Sequence, residues 1–325
     1  MNLLKEILIL VIGFVLLIKG ADYFVEGSSS VARRLKVPSL IIGMTIVAMG
    51  TSLPECAVSV TASLAGNNTL AVSNVVGSNI FNLMVVCGVC TLFAPLTIKK
   101  DTLQKEFPLS IICAILLMFL GYFGMTLGHV EGVILLIIFV GYLLWMIQAA
   151  RTARKKHIKE RLMTEEVEFT EDDIDILPVW KCLIFIVGGM IAIKYGGDFV
   201  VDGASVIAAG LGLSQTLIGL TIVATGTSLP ELVTSIVAAR KNEVDMALGN
   251  VIGSNIFNIL FVLGIAASIS PVAFLLENII DIIILVIMSL IVMAFAWTSQ
   301  TIKRNEGIIM LVLYAVYLVY ICIRY

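Results

Sequence analysis

Two stretches, Gly50-Thr51-Ser52-Leu53-Pro54-Glu55 and Gly226-Thr227-Ser228-Leu229-Pro230-Glu231, decide how this chain is read. Each lies inside an apolar segment long enough to cross a bilayer. Each sets a glycine, two hydroxyls, a helix-breaking proline and a carboxylate in one row. Such groups are costly in hydrocarbon, so a cluster of them marks a functional site. Pro54 lacks a backbone N–H, its ring clashes with a preceding carbonyl, and Gly50 adds backbone freedom. The pattern predicts a helix that opens near residues 48–52 and leaves carbonyl oxygens without helical partners. At that depth such carbonyls are tolerable only where they line a cavity or meet an ion. The second copy repeats the reasoning.

The surrounding chain agrees with a membrane setting. Of 325 residues, 59% are hydrophobic and 14% charged, with a mean hydropathy of +1.06; soluble domains carry about 25% charged residues. A net charge of −2 gives no support for nucleic-acid binding. Cys56, Cys87, Cys90, Cys113, Cys182 and Cys322 mostly sit in apolar runs and read as small buried hydrophobes, not as a disulfide framework. Ile7–Ile18 resembles a signal-peptide core, but no small-x-small pattern follows and Asp22 and Glu26 come early, so it is read as the first span.

Apolar segments of about 20 residues mark spanning helices. They fall near 3–25, 39–65, 70–94, 107–127, 130–150, 179–201, 216–239, 244–269, 278–297 and 306–323, ten in all. Lys and Arg occupy the loops after the odd-numbered spans and are absent from those after spans two, four, six and eight. By the positive-inside rule the basic loops are cytoplasmic and both termini are extracellular. Residues 151–178 form the one substantial hydrophilic connection. It starts basic and turns acidic, and reads as a solvated cytoplasmic linker; no EF-hand spacing is present.

Residues 42–89 align without a gap on 218–265 at a constant offset of 176, with 25 of 48 pairs identical. This is an internal repeat. The offset extends to the first span, where Gly20-Ala21-Asp22 matches Gly196-Gly197-Asp198 and Glu26-Gly27 matches Asp202-Gly203. Residues 1–150 and 179–325 then each hold five spans, and an odd number makes the halves inverted copies. The fold class expected is an all-α polytopic membrane protein with ten transmembrane helices in two inverted five-helix repeats. That architecture is typical of secondary transporters, with the site at mid-membrane.

A second polar signature, Asn74-Val75-Val76-Gly77-Ser78-Asn79-Ile80-Phe81-Asn82, recurs as Asn250-Val251-Ile252-Gly253-Ser254-Asn255-Ile256-Phe257-Asn258. On a helix Ser78 and Asn82 share a face, as do Ser254 and Asn258; these four are placed in the site. Asn74, Asn79 and their copies are read as amides tying helices together. The inward groups are then Glu55, Glu231, Thr51, Thr227, Ser52, Ser228 and the two Ser–Asn pairs, with freed carbonyls near Ala48 and Ala224. All offer oxygen. No His or Cys converges, which argues against zinc, copper or iron. Two glutamates balance one Ca²⁺, whose six to eight oxygen ligands suit mixed shells; several smaller pockets would suit Na⁺. No Ser–His, paired-Asp or HExxH arrangement points to an enzyme.

The paired G-T-S-L-P-E segments, each followed by G-S-N-I-F-N, resemble the two α-repeats of the cation/Ca²⁺ exchanger superfamily, most closely its prokaryotic sodium/calcium exchanger branch. The resemblance covers nearly the whole chain. It implies a ten-helix inverted-repeat antiporter whose central helices bind Ca²⁺ or Na⁺ in alternation. It also implies Glu55 and Glu231 as principal Ca²⁺ ligands, and Thr51 and Thr227 as ligands of both ions. Ser52, Ser78, Ser228 and Ser254, with the Ala48 and Ala224 carbonyls, would complete the Na⁺ pockets, and Asn82 and Asn258 would flank the centre. Both last positions are Asn here, where the family often has Asp at one. The expected partners are Ca²⁺ and Na⁺ as cargo and the lipid bilayer of the cell membrane; no resident cofactor is expected. The expected working unit is a monomer. H⁺/Ca²⁺ or K⁺-dependent antiport is the alternative.

Overall fold

The computed structural model describes residues 3–65, 69–163, 177–212, 222 and 224–324. It is mostly helical: α1 (Leu3–Leu35), α2 (Ser39–Thr51), α3 (Leu53–Leu64), α4 (Ala71–Phe93), α5 (Lys100–Tyr122) and α6 (His129–Met163) come from the first half. In the second half come α7 (Val179–Gly210), a short turn at Ala224–Gly226, α8 (Leu229–Arg240), α9 (Val244–Ile269), α10 (Leu276–Ser299) and α11 (Arg304–Arg324). Among the described residues eight helices are long and apolar enough to cross a membrane, and α2 with α3, bent by 47°, makes a ninth if the pair is one span. The chain is a polytopic membrane protein. The span expected at 216–239 lies partly outside the described residues.

The apolar pattern placed the spans but not the helix ends. α1 and α7 continue to Leu35 and Gly210, and α6 runs on through the basic residues to Met163. The connection expected at 151–178 is helical as far as Met163, and residues 164–176 lie outside those described. A helix satisfies its own backbone, so it need not stop where the hydrocarbon does.

Glycines set the tightest packing. α1 and α7 pack antiparallel through Gly13, Gly20 and Gly27 at seven-residue spacing. A methyl on Gly13 would come within 2.9 Å of the Gly196 carbonyl oxygen, and one on Gly20 within 2.9 Å of the Ile193 nitrogen. α2 crosses α9 as closely at Gly43, Gly249 and Gly253. The bent α2–α3 and the α8 helix meet α4 and α9 at the centre, with α5, α6, α10 and α11 packed outside them.

Two features escaped the sequence pattern. Wide π-type turns interrupt the central helices at Gly43–Val47, Asn82–Val86 and Asn258–Val262. Two short antiparallel strand pairs also form: β1 (Leu96–Thr97) with β4 (Thr301–Ile302), and β2 (Thr126–Leu127) with β3 (Val272–Ala273). Since β1 and β3 stand 176 residues apart, each pairing joins one half of the chain to the other.

Candidate functional site

The break at the first signature falls at Ser52, between α2 and α3, and Ser228 breaks the second with nearly the same backbone angles (φ −84°, ψ 11° and φ −93°, ψ 4°). Proline stands at the start of α3 and α8, where a missing N–H is harmless. The carboxylate follows in the first turn of each new helix. Both glutamates therefore point from broken-helix starts into the protein centre, and both are fully buried.

The two halves hold each other's carboxylates. Ser52 donates to Glu231 Oε1 at 2.7 Å, and Ser228 donates to Glu55 Oε1 at 3.1 Å. Ser78 donates to the same Glu55 oxygen at 3.2 Å and lies 2.9 Å from Ser228 Oγ. Asn258 Nδ2 reaches Ser78 Oγ at 3.3 Å and Asn79 Oδ1 at 3.2 Å. Thr51, Ser52, Ser78, Ser228, Ser254, Asn82 and Asn258 are all buried; the hydrogen bonds above bring Ser52, Ser78, Ser228 and Asn258 together with the carboxylates, Ser254 lies against the Ala48 carbonyl, and no hydrogen bond ties Asn82 to them among the described residues.

The ring of donors stops short of satisfying the ring of acceptors. Glu55 Oε2, Glu231 Oε2, Thr227 Oγ1, Asn258 Oδ1 and both polar atoms of Asn82 are buried without a hydrogen-bond partner. An unpaired buried carboxylate oxygen is costly, and one on each glutamate points to a cationic ligand. Among the described residues no group of three or more His, Cys, Asp or Glu gathers elsewhere, or here. The atoms available are neutral oxygens and two carboxylates, a set that suits a hard cation.

One expectation needs correcting. The Ala48 carbonyl is not free: it accepts the Ser52 N–H at 3.1 Å and lies 3.4 Å from Thr51 Oγ1 and 3.5 Å from Ser254 Oγ. Proline removes the donor to the residue four before it, so Pro54 deprives Gly50, not Ala48. In the second copy the Ser228 N–H turns to Thr225 O at 3.2 Å and leaves Ala224 aside.

Asn79 and Asn255 tie α4 to α9, each side chain donating to the other's backbone carbonyl at 3.1 and 3.2 Å. Asn74 and Asn250 do something sequence reasoning missed. Asn74 Nδ2 donates to Ser59 Oγ and Asn250 Nδ2 to Ser235 Oγ, at 3.1 and 2.9 Å. Asn250 Oδ1 also accepts from Thr51 Oγ1 at 3.1 Å. The signal available was the matched Ser59 and Ser235, four residues beyond each glutamate. Beside the first break lies a cavity of about 110 Å³ lined by Gly50, Thr51, Pro54, Met190, Lys194 and Pro230, among others. Lys194 on its wall pairs with Asp198 at 2.7 Å.

Broken helices that meet around buried, unsatisfied carboxylates define a membrane carrier for cations. The chain belongs to the sodium/calcium exchanger protein family, whose model matches residues 5–148 and 181–323. It is 33% identical to the sodium/calcium exchanger MaX1 of Methanosarcina acetivorans over 340 aligned positions, covering 96% of this chain and 97% of that one. It is 38% identical to the inner membrane protein YrbG of Escherichia coli (strain K12) over 264, covering 81% and 79%. Its fold matches the structure of the sodium-calcium exchanger NCX_Mj soaked with 2.5 mM Na⁺ and 10 mM Sr²⁺, with a TM-score of 0.82, 34% identity and coverage of 98% and 99%. The family is one of ion exchangers, not enzymes.

Proposed function

We propose that this chain exchanges Na⁺ for Ca²⁺ across the cytoplasmic membrane by alternating access. Residues 1–150 and 179–325 act as inverted five-helix repeats, ten spans in all, joined through a cytoplasmic linker at 151–178. Both termini are extracellular, and a single chain is the working unit. Glu55 and Glu231 bind Ca²⁺ with Thr51 and Thr227. Ser52, Ser78, Ser228 and Ser254, with the Ala224 carbonyl and the lone pair of the Ala48 carbonyl that the Ser52 N–H leaves over, serve Na⁺, and Asn82 and Asn258 border the centre. The observation that carries this reading is the cross-held pair of buried carboxylates, each with one oxygen unpartnered. Two negative charges match one Ca²⁺. An ion-free centre leaves both uncompensated in a low dielectric, which disfavours crossing without cargo. The strand pairs that join the two halves support the inverted arrangement.

Asymmetry between the copies supports alternation. Thr234 on α8 is fully buried, whereas its copy Val58 on α3 is 43% exposed. α1 packs along α8, and charges fasten it there. Lys241 bonds Asp22 Oδ1 at 2.7 Å and lies 3.4 Å from Glu26, while Glu243 takes Ser29 and Arg33. The copies of Lys241, Glu243 and Arg33 are Ala65, Asn67 and Ala209, so the other half lacks these charges. With the basic loops inside, the cytoplasmic path is the covered one and the protein faces outward. Lys241→Gln should loosen α1. Labelling of a cysteine placed at Thr234, applied from the cytoplasmic side in a background without native cysteines, should rise about two- to fivefold, as a partly exposed ion pair is worth roughly 0.5–1 kcal/mol. Unchanged labelling would remove the charge contact from the closure.

The function is tested with ⁴⁵Ca²⁺ uptake into proteoliposomes loaded with Na⁺, K⁺ or a proton gradient. Uptake driven by internal Na⁺ alone is expected. Uptake that follows the proton gradient and ignores Na⁺ would establish H⁺/Ca²⁺ antiport instead.

A further inference from the structure

We propose that Asn250 and Asn74 are positioning residues that present the Thr51 and Thr227 hydroxyls to the transported cation in turn. Asn250 acts in the conformation described here and Asn74 in its mirror image. The inference rests on the exchanger reading above and deepens it.

A hydroxyl ligates a cation through an oxygen lone pair, so its proton must be directed elsewhere. Thr51 Oγ1 lies 3.1 Å from Asn250 Oδ1, nearer than the Val47 and Ala48 carbonyls of its own helix at 3.2 and 3.4 Å. The amide of Asn250 is oriented for this. Its Nδ2 donates to Ser235 Oγ at 2.9 Å and reaches the Glu231 carbonyl at 3.4 Å, which leaves Oδ1 turned to Thr51. Asn250 and Ser235 are both fully buried. Ser235 follows Glu231 by four residues on α8, so the Thr51 hydroxyl of one half is referenced to the carboxylate-bearing turn of the other.

The mirror site has the same parts in another arrangement. Asn74 keeps the same anchor, Nδ2 to Ser59 Oγ at 3.1 Å. Its threonine, Thr227, does not use it: Thr227 Oγ1 is buried without a partner. An amide that only tied helices together would behave alike in both copies. Here the serine anchors match, while Asn74, half-buried, has neither the hydroxyl contact nor a counterpart of the 3.4 Å approach of Asn250 to the Glu231 carbonyl. The difference runs in step with the covered Thr234 and the exposed Val58. When α1 leaves α8 and α7 covers α3, the roles exchange: Thr227 donates a hydrogen bond to Asn74 Oδ1 and Thr51 loses Asn250.

The test uses the full chain in proteoliposomes, with Na⁺-driven ⁴⁵Ca²⁺ flux measured from each face. Asn250→Ala should raise the half-saturating Ca²⁺ concentration at the outer face about tenfold and lower the maximal rate less than about threefold, the effect of one misdirected ligand. Asn74→Ala should do the same at the cytoplasmic face. Thr51→Val should match Asn250→Ala, and the double variant should be no worse than Thr51→Val, because residues acting through one contact are not additive. Equal shifts at both faces, or additive losses, would overturn the proposal. If Asn250→Ala fails to insert, Ser235→Ala keeps the amide but removes its anchor; a shift confined to the outer face supports the proposal and an equal shift at both faces refutes it. A parent protein without Na⁺-driven uptake would instead overturn the exchanger reading itself.

Discussion

Replacing Glu55 or Glu231 with Gln is expected to abolish Ca²⁺ exchange in a protein that still folds. The substitution keeps size and one carbonyl oxygen. In Glu55→Gln that oxygen can still accept from Ser78 and Ser228, and in Glu231→Gln from Ser52. What goes is half of the negative charge in a buried volume where no Lys or Arg touches either carboxylate among the described contacts. Loss of a charged ligand costs roughly 3 kcal/mol, or about a hundredfold in Ca²⁺ affinity. Stability should move the other way. An uncompensated buried anion destabilises the ion-free state, so its removal should leave the melting temperature without Ca²⁺ unchanged or higher. Ca²⁺ should raise the melting temperature of the parent by mass action and leave either variant unmoved. Calorimetry with and without Ca²⁺, alongside ⁴⁵Ca²⁺ flux, checks both halves. Undiminished transport in either variant would take that glutamate out of the site.

Gly249→Val should have the largest effect on the fold. A methyl at Gly249 would stand 2.5 Å from the Leu40 carbonyl oxygen and 3.1 Å from the Gly43 Cα, both backbone atoms that no rotamer change can clear. The neighbouring crossing is no looser, since a methyl at Gly253 would meet the Met44 Cα at 2.6 Å. α9 would have to move off α2, and Thr51, Asn250 and Ser254 would separate with them. Overpacking against side chains costs about 1–3 kcal/mol; against backbone on both sides the expected outcome is loss of the assembled bundle. Size-exclusion chromatography after detergent extraction should show aggregate in place of a monodisperse peak. Gly188→Ala, at a position with open space around it, should behave as the parent. A well-folded Gly249→Val protein would mean that the helices do not cross this closely.

Much of the site was legible because its residues are out of place in hydrocarbon. A Pro beside a Glu in an apolar run admits few readings, and its repetition at an offset of 176 placed both glutamates in one site. The serines and asparagines followed from helical spacing. The wide turns at Gly43–Val47, Asn82–Val86 and Asn258–Val262 were not legible, since a turn one residue wider requires no particular side chain. The Gly13, Gly20, Gly27 stripe was present in the sequence, yet only the facing helix shows what it packs against. The bond from Thr51 to Asn250 spans 199 positions, which no local pattern carries. The copies, about half identical in sequence, differ in the burial of Thr234 and Val58, and the Lys241 and Glu243 charges, which have no counterpart in the sequence of the first half, lie outside both signatures.

Ca²⁺ and Na⁺ are expected to compete for one buried site built on Glu55 and Glu231. Titration of Ca²⁺ into the purified protein by calorimetry, over a series of Na⁺ concentrations at constant ionic strength, tests it most directly. One Ca²⁺ per chain is expected, with an affinity that falls steadily as Na⁺ rises, indifference to the same concentrations of a bulky organic cation, and an affinity about a hundredfold weaker in Glu55→Gln or Glu231→Gln. A Ca²⁺ affinity that stays constant as Na⁺ rises, or that survives undiminished in either glutamine variant, would contradict the account.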